Sequence, residues 1–160
     1  MILLRKKIHL IFSMQVICKH FNELSAKELY SIFALRCEVF MIEQHCDETE
    51  FDGKDFSCYH LCFYDAGVLA GYARLLPPGV SYKEMSIGRI VVHSNYRRKG
   101  FGKNLLKKAI EKCYEYFGKA PIKISAQLYL QKFYESFGFV RISNVYDEAG
   151  IAHIKMMKEG

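Results

Sequence analysis

The sequence predicts one domain of mixed α/β structure, a sheet covered by helices. Its 160 residues fit a single domain, and 51% hydrophobic with 25% charged residues allow a sizeable core under a well-solvated surface. Segments with the two-residue period of strands alternate with segments of helical period along the chain. No linker, internal repeat or low-complexity run interrupts this order.

The first elements are a strand, a helix and an irregular acidic segment. Met14–Phe21 has the composition of a strand. Ser25 and Glu28 have the spacing of a capping box, which predicts a helix that runs to about Phe40. Apolar residues recur at helical spacing at Leu29, Ile32, Phe33, Val39 and Phe40. Met41–Phe56 is irregular and acidic, and within it the run CDETEFDGKDF, residues 46–56, is expected to be a solvated loop near the entrance for a substrate.

Three strands follow the acidic segment. Tyr59–Tyr64 and Val68–Leu76 are apolar runs on either side of Asp65-Ala-Gly67, which is a hairpin signal. Pro77-Pro78-Gly79 ends the second of these runs. Glu84–His93 is the next predicted strand.

The second half begins with a long amphipathic helix, from near Gly102 to Gly118. Its apolar face consists of Leu105, Leu106, Ala109, Ile110, Cys113, Tyr114 and Phe117. The remaining segments are predicted as strands at Ile122–Ala126, Phe139–Ile142 and Ile151–Met157 and a helix at Leu128–Phe137. Asp147-Glu-Ala-Gly150 is predicted as the turn before the last strand.

Residues 1–13, MILLRKKIHLIFS, are predicted to lie outside the fold, as a leader or a misassigned start. Basic residues break their apolar runs, and no small-residue cleavage site follows. No later run is long enough to span a membrane. The six scattered cysteines contain no Cys-x-x-Cys pair and indicate reduced thiols. We therefore expect a cytoplasmic domain at residues 14–160 with no membrane partner.

The segment Arg97-Arg-Lys-Gly-Phe-Gly-Lys103 indicates an anion site. Gly100 and Gly102 let backbone N–H groups approach a ligand closely. The helix that follows supplies unpaired N–H groups and the positive end of its dipole, and together these suit phosphate. The spacing is neither that of a Walker loop nor that of a dinucleotide fingerprint. A glycine-rich turn with a solvated basic rim is the alternative interpretation.

With its neighbours, this segment resembles the GCN5-related N-acetyltransferase (GNAT) superfamily, in its bacterial ElaA-like branch. Five blocks occur in family order between about Leu24 and Met157: LYSIFALRCEVFMIEQHCDETEFDGKD, GYARLLP, GRIVVHSNYRRKGFGKNLL, AQLYLQKFYESFGF and VYDEAGIAHIKM. The resemblance implies the GNAT fold, a mixed and mostly antiparallel sheet that splays at its fourth and fifth strands, with helices on both faces. It also implies transfer of an acetyl group from acetyl-CoA to an amine.

The resemblance further implies which residues hold acetyl-CoA. The pyrophosphate would lie on a loop whose residues are Arg97, Arg98, Lys99, Gly100, Phe101, Gly102 and Lys103. The pantetheine arm would bond the splayed strand at Ile90, Val91, Val92 and His93, with the Val92 N–H near the thioester oxygen. Phe133 and Tyr134 would lie on the cofactor helix. Gln127 or Gln131 stands where the family usually has asparagine.

The implied reaction is direct attack by a neutral amine on the thioester in a ternary complex. Tyr134 matches the tyrosine that commonly faces the CoA sulfur, which makes it the candidate acid for the leaving thiol. Without the resemblance, Tyr134 would be one more aromatic residue in an aromatic-rich helix. An alkylammonium with a pKa near ~10 must lose a proton first. Glu43 is the candidate base, and His60, His93, Glu84 or a water chain are alternatives.

The acceptor is expected to be a small-molecule or peptide amine. Its candidate binding residues are Arg36, Glu43, Gln44, His60, Arg74 and Arg89. The three arginines fall within apolar runs and need partners, so they either form structural ion pairs, with Glu38 or Glu43, or bind an acidic acceptor. Whether the protein forms a homodimer stays open.

Other classes of ligand have weaker support. Cys58, His60 and Cys62 alternate along a strand, but the sequence signals no fourth zinc ligand nearby. A calcium-binding loop fitted to the acidic run would have Tyr59 at the position that needs glutamate. No metal is therefore expected. The basic cluster comes with no helix-turn-helix or RNA-recognition signature, so no nucleic-acid partner is expected. A protein that binds acyl-CoA without catalysis would also keep the glycine loop and is the remaining alternative.

Overall fold

The structure, a computed structural model, describes residues 14–46 and 48–160. The α-helices are α1 (Ala26–Arg36), α2 (Phe101–Phe117) and α3 (Gln131–Glu135). The strands are β1 (Gln15–His20), β2 (Tyr59–Asp65), β3 (Val68–Leu76), β4 (Ser86–Val92), β5 (Ile122–Gln127), β6 (Val140–Arg141), β7 (Tyr146–Glu148) and β8 (Ile151–Lys158). The expectation for residues 1–13 falls outside the described residues. None of the described helices combines the length and the apolar character that a membrane crossing requires.

Two four-stranded antiparallel sheets share the domain and diverge from a common point. The first has the order β1-β2-β3-β4, and in the second β5, β6 and β7 all pair with β8. A parallel bridge between Met85 and Ile122 joins β4 to β5, and the Lys123 N–H donates to the Met85 carbonyl at 3.0 Å. Beyond this bridge the two strands separate. The predicted splay between the fourth and fifth strands is thus confirmed.

Helices cover both faces of the first sheet, because its strands alternate apolar residues between two cores. Leu105 and Ala109 of α2 pack in one core with Leu75 of β3. Ile32 of α1 packs in the other core with Tyr72 of β3. The arrangement predicted from the resemblance, helices on both faces of a mostly antiparallel sheet, is confirmed.

The first helix begins as predicted but continues differently. The Ser25 N–H donates to Glu28 Oε2 at 2.8 Å and the Glu28 N–H donates to Ser25 Oγ at 3.2 Å, which completes the capping box. The α-helix ends at Arg36, and the chain continues as a π-helix over Cys37–Glu43 instead of ending near Phe40. The two helix types differ in their backbone hydrogen bonds, i→i+4 against i→i+5, and apolar spacing over seven residues does not distinguish them. The longer helix places Glu43 at its end.

The last third of the chain departs from the predicted elements at two places. The predicted helix Leu128–Phe137 starts with a 3₁₀ turn, and only Gln131–Glu135 is α-helical. Tyr146–Glu148, predicted as part of a turn, forms β7 and pairs with β8. The turn itself has only two residues, Ala149 and Gly150, with φ of +53° and +78°.

Candidate active site

The divergence of β4 and β5 opens a cavity of about 880 Å³. Many of the predicted site residues line it, namely Glu43, Gln44, Arg74, Arg89, Ile90, Val91, Val92, Arg97, Gly102, Gln127, Phe133 and Tyr134. Others lie outside this lining, namely Arg36, His60, His93, Arg98, Lys99, Gly100, Phe101 and Lys103. The first sheet, the second sheet, the π-helix and the start of α2 therefore all contribute to one space.

Strand β4 faces the cavity along its free edge. On its paired edge, Tyr72 lies opposite Val91 but Arg74 lies opposite Gly88, so Arg89 and Ile90 together face one residue of β3. This is a β-bulge, and Arg89 adopts φ +52° there, which is unusual for a side chain other than glycine. β4 is an edge strand of its sheet, and Ile90, Val91 and Val92 line the cavity beside this bulge, which bends the strand.

The segment Arg97–Lys103, called here the glycine loop, leads into α2. Gly100 is the N-cap, and no side chain caps the helix. The Asn104 N–H is bonded to the Gly100 carbonyl at 3.2 Å, as the first turn requires. The N–H groups of the residues just before Asn104 precede the helical ladder and are the donors that a helix start offers to an anion.

The two glycines of the loop are needed for different reasons. Gly100 adopts φ +80°, a conformation that side chains rarely take. Gly102 has no such φ, and a Cβ there would meet only Phe133 Cζ and Val92 Cγ2, both at 4.0 Å. The fold would therefore accept alanine at position 102. A side chain at this position would instead occupy cavity space beside the helix start, which is the space that a phosphate bound there would need.

Tyr134 lies on α3 and lines the cavity with 7% of its surface exposed. Its ring packs edge-on against Phe133 and Phe139, at 5.3 and 5.9 Å between centroids. Burial raises the pKa of the Tyr134 hydroxyl well above its usual range. The group is a neutral phenol at neutral pH, as an ordinary tyrosine is, and burial disfavours its ionised form further.

The end of the π-helix is connected to two other parts of the cavity wall. Both carboxylate oxygens of Glu43 accept hydrogen bonds from Arg97 Nη2, at 2.8 and 3.2 Å, and Arg97 Nε donates to the Val92 carbonyl at 2.9 Å. Gln127 Nε2 donates to Gln44 Oε1 at 3.1 Å. Glu43 and Gln44 thus contact two residues, Arg97 and Gln127, that were predicted to hold the cofactor.

Six charged residues form what we call the carboxylate–arginine network, namely Arg36, Glu50, Asp52, Asp55, Arg74 and Arg89. Glu50 Oε1 accepts from Arg36 Nε at 2.6 Å and from Arg89 Nε at 2.8 Å. Asp55 Oδ1 accepts from Arg36 Nη1 at 2.7 Å and from Arg74 Nη1 at 3.1 Å. The partners of the arginines are therefore acids of the 48–57 segment, and neither Glu38 nor Glu43 is among them.

The carboxylate–arginine network corrects the expectation of a solvated acidic loop. Glu50 and Asp55 are each only 4% exposed, and Arg36 is fully buried. Burial opposes ionisation of Asp52 and Asp55. Hydrogen bonds and charge from Arg74 nevertheless hold the pKa of Asp52 below its usual range, and those from Arg36 and Arg74 do the same for Asp55. Their ionised state is built into the fold, and Arg36 is too deep to contact an acceptor in the cavity.

The alternative bases named from the sequence lie away from the cavity lining. His60 is fully buried, with Nδ1 at 2.8 Å from the Tyr72 hydroxyl and Nε2 at 3.0 Å from the Asp55 carbonyl. Burial lowers its pKa, so it is held neutral in the core. His93 Nδ1 accepts from the Asn95 N–H at 3.3 Å as a cap of a 3₁₀ turn. Glu84 does not line the cavity either.

The second sheet contributes cavity residues that sequence reasoning missed. Ser125 of β5 and Lys155 of β8 stand between buried core residues and line the cavity. The missed polar residues of the lining, called here the polar wall, are Ser125, Glu148, His153 and Lys155. The two-residue period of β5 and β8 was the signal that could have placed Ser125 and Lys155 on one face. The position of Glu148 depended on recognising β7 as a strand.

Metal ligation has no geometric support in the described part of the chain. No group of three or more histidine, cysteine, aspartate or glutamate side chains among residues 14–46 and 48–160 is arranged to hold an ion. All six cysteines are free.

Comparison with known proteins defines the class. Residues 23–160 match the acetyltransferase (GNAT) domain family. The protein ElaA of Escherichia coli K12 is 37% identical over 142 residues, which cover 88% of this chain and 93% of ElaA. A UPF0039 protein of Schizosaccharomyces pombe is 39% identical over 149 residues, covering 92% of this chain and 98% of that protein. The chain belongs to the GNAT family.

Solved structures place it more closely. The crystal structure of an acyl-CoA N-acyltransferase from Pseudomonas aeruginosa superposes with a TM-score of 0.88 at 38% identity, over 91% of this chain and 99% of that one. The crystal structure of E. coli ElaA superposes with a TM-score of 0.86 at 35% identity, over the same shares. Within the GNAT family the protein is thus an acyltransferase of the ElaA-like branch, as its sequence motifs predict.

Proposed function

We propose that the protein transfers an acetyl group from acetyl-CoA to an amine by direct attack in a ternary complex. The observation that carries this proposal is the arrangement around one cavity. The free edge of β4, the start of α2 at Gly102 and the hydroxyl-bearing Tyr134 all line it. A narrow space left open at Gly102, beside an uncapped helix start, suits a pyrophosphate.

The residues of the glycine loop and of β4 would hold the cofactor. Main-chain N–H groups of Gly100–Lys103 would bind the pyrophosphate, with Arg97, Arg98 and Lys99 adding positive charge. Backbone groups of Ile90–His93 would bond the pantetheine arm along the strand edge that β5 leaves free. Gln127 of the second sheet and Phe133 of α3 would flank that arm.

Acetyl-CoA, when bound, would supply a thioester carbonyl. The amine nitrogen would form a C–N bond with the carbonyl carbon, and the C–S bond to CoA would break as the sulfur leaves. The backbone N–H of Val92 would stabilise the negative charge on the carbonyl oxygen. Tyr134, a phenol that is protonated at neutral pH, would give its proton to the leaving sulfur. Alignment of the two reactants in one cavity would contribute the rest of the rate enhancement.

Glu43 is our candidate for the group that removes the amine proton. Its carboxylate is engaged by Arg97 in this structure, at 2.8 and 3.2 Å. Arg97 belongs to the glycine loop, so a phosphate bound there would compete with Glu43 for the same guanidinium. Cofactor binding would in this way free Glu43 to accept a proton. Gln44, next to it, would contact the acceptor from the cavity wall.

The arginines take a structural role in this proposal. Arg36, Arg74 and Arg89 bind the acids of the 48–57 segment and hold that segment against the bulge of β4. Arg74 and Arg89 also line the cavity, so they shape the acceptor space without an unpaired charge of their own.

The testing experiment is isothermal titration of the full chain with acetyl-CoA and with CoA, for the wild type and two variants. Gly102→Val places a branched side chain in the space proposed for phosphate, so we expect a loss of affinity of at least about tenfold. Gly102→Ala is the graded control, and its loss should be smaller. The thermal unfolding temperature of Gly102→Ala should stay close to that of the wild type, because a Cβ at position 102 meets no atom closer than 4.0 Å, and that of Gly102→Val is measured to show that the variant is folded.

Saturable binding that weakens from glycine to alanine to valine would support the proposal, and thiol release with an amine panel would then establish turnover. Equal affinity in all three proteins would show that the glycine loop does not hold the pyrophosphate. Absence of any binding to acetyl-CoA would contradict the proposed function as a whole.

A further inference from the structure

The polar wall carries charges that the proposed reaction does not use. Ser125 of β5 and Lys155 of β8 are register partners, and Tyr146 of β7 is the partner of His153. Glu148 ends β7 one position before the two-residue turn. These residues therefore lie close together on the second sheet, and Ser125, Glu148 and Lys155 line the cavity.

Glu148 presents a carboxylate with spare hydrogen-bonding capacity. Its Oε2 accepts from Ser125 Oγ at 2.9 Å, and Ser125 Oγ is in turn bonded to the Tyr146 hydroxyl. Among the described residues, no lysine, arginine or histidine nitrogen lies within 4.0 Å of Glu148. A carboxylate accepts up to about four hydrogen bonds, so Glu148 can take donors from a ligand.

Lys155 presents the opposite charge under similar conditions. Its Nζ donates to the Tyr82 hydroxyl at 2.8 Å and lies over two aromatic rings, 5.1 Å from the centroid of Tyr82 and 4.7 Å from that of Tyr146. In the described part of the chain, no carboxylate is within 4.0 Å of it. The rings hold the ammonium in place, and an ammonium has three donors, so at least one remains for a ligand.

Most of the other charges of the cavity wall are already neutralised, and the exceptions among the described residues are Glu48 and Lys54, which line the cavity without an ion pair. Glu43 is paired with Arg97, and Asp52 is paired with Arg74. Glu50 is paired with Arg89 and with a buried arginine behind it. Glu148 and Lys155 are not paired in this way. Tyr146 lies between the two residues and neutralises neither charge. Its hydroxyl is bonded to Ser125 on the Glu148 side, and its ring covers the Lys155 ammonium.

From this pairing we infer that the acceptor is a zwitterion, an amine that also bears a carboxylate, with its ammonium held by Glu148 and its carboxylate by Lys155. The inference rests on the proposed function, since it assigns the polar wall to the acceptor of that reaction. An amino acid, or the terminus of a short peptide, has this chemistry. A plain alkylamine or a polyamine would leave the Lys155 ammonium without an anion, and an acid without an amine could not be acylated on nitrogen.

The test compares amines that differ only in the carboxylate. Glycine, alanine and 4-aminobutyrate are assayed beside glycinamide, alaninamide and butylamine, with acetyl-CoA saturating and release of the CoA thiol as the readout. We expect the carboxylate-bearing member of each pair to have a KM lower by about 10- to 100-fold, the effect of one charge-assisted contact. Lys155→Met should remove that difference by raising the KM of the acids alone. Glu148→Gln should raise the KM of both members of each pair.

The matched control is Lys123→Met. Lys123 also lies over the Tyr82 ring, at 5.0 Å, but does not line the cavity, so its loss should leave the preference intact. Lys54 does line the cavity, where its Nζ donates to Ser81 Oγ at 2.9 Å. Lys54→Met therefore tests whether Lys54 rather than Lys155 holds the carboxylate of the acceptor. The inference is overturned if the amides and plain amines are used as well as the acids, if no zwitterion is used, or if Lys54→Met rather than Lys155→Met removes the preference.

Titration with acetyl-CoA separates this inference from the proposed function. Each variant is expected to bind acetyl-CoA like the wild type, because neither Glu148 nor Lys155 belongs to the glycine loop or to β4. Normal cofactor binding with no preference for zwitterions would contradict the acceptor assignment alone. A wild-type protein that does not bind acetyl-CoA would contradict the proposed function, and the acceptor assignment with it.

Discussion

Two sides of the cavity are built from different parts of the chain. On the side of the glycine loop and β4, the groups proposed to hold the cofactor are main-chain N–H groups, and their positions follow from Gly100, a bulge and a helix start. On the side of the 48–57 segment and the polar wall, the groups are charged side chains held by other side chains. Side chains on the first side can be replaced with little effect on the positions of the main-chain groups. On the second side, the position of each charged side chain depends on the side chains that bind it.

This difference predicts that variants on the two sides fail in different ways. A change near the glycine loop or α3 should alter binding or turnover in a protein of normal stability. A change in the carboxylate–arginine network should instead lower the free energy of unfolding, and alter activity only through it. The variants below test that distinction from the largest expected effect to the smallest.

Tyr134→Phe should lower kcat by about 10²–10⁴-fold if the hydroxyl protonates the leaving sulfur. The affinity for acetyl-CoA, measured by titration, and the unfolding temperature should stay close to those of the wild type, because the ring contacts with Phe133 and Phe139 are kept. Tyr30→Phe, at an exposed tyrosine of α1, is the control. A rate equal to the wild type would assign Tyr134 to packing alone.

Arg36→Met should lower the free energy of unfolding by about 3–5 kcal/mol, the usual cost of leaving buried charges without their partner. Arg36 is fully buried between Glu50 and Asp55, and neither acid can reach water readily at 4% exposure. Urea denaturation measures the change. Arg141→Met, at an exposed arginine of β6, should change stability by no more than about 0.5 kcal/mol. A stable Arg36→Met protein would contradict the dependence of this side on its ion pairs.

Much of the glycine-loop side could be predicted from the sequence, because its geometry is local. Glycine spacing, the capping box and the apolar face of α2 each lie within a few consecutive residues, where turn and helix chemistry act. The splay and the cofactor residues came from the resemblance to a family, not from spacing.

The carboxylate–arginine network and the polar wall could not be read in the same way. Arg36 and Arg89 meet at Glu50, which is 14 and 39 residues away from them in the chain. The sequence indicated that these arginines need partners but not which acids supply them. The acidic run was therefore interpreted as a solvated loop, and Glu148, on a strand of three residues, as part of a turn.

Acid should weaken the network side of the molecule selectively. Asp52 and Asp55 have pKa values below their usual range in the fold, against about 3.9 in an unfolded chain. Their contribution to stability is therefore complete above about pH 4 and is lost as the pH falls through the folded-state values. Urea denaturation from pH 7 to pH 2 measures this. Asp55→Asn should be less stable at pH 7 and should show a flatter profile below pH 4; an equally steep profile would mean that other carboxyls cause the acid sensitivity.

Glu43→Gln tests the ion pair between the π-helix and the glycine loop, and it should have the smallest effect on binding. Exposed pairs contribute about 0.2–1 kcal/mol, so freeing Arg97 for a phosphate should tighten acetyl-CoA binding by at most about fivefold. The gain should shrink as salt is added, because screening weakens exposed charges. Glu38→Gln, at an exposed glutamate of the same π-helix with no partner among the described residues, is the control.

The same variant separates the two roles proposed for Glu43. If Glu43 removes the amine proton, kcat should fall while acetyl-CoA binds more tightly, and raising the pH should restore part of the rate because more of the amine is already neutral. If Glu43 only restrains Arg97, binding should tighten with no change in kcat. Unchanged affinity at low salt would contradict competition between Glu43 and the cofactor for Arg97, and the Glu43–Arg97 pair would then have no part in cofactor binding.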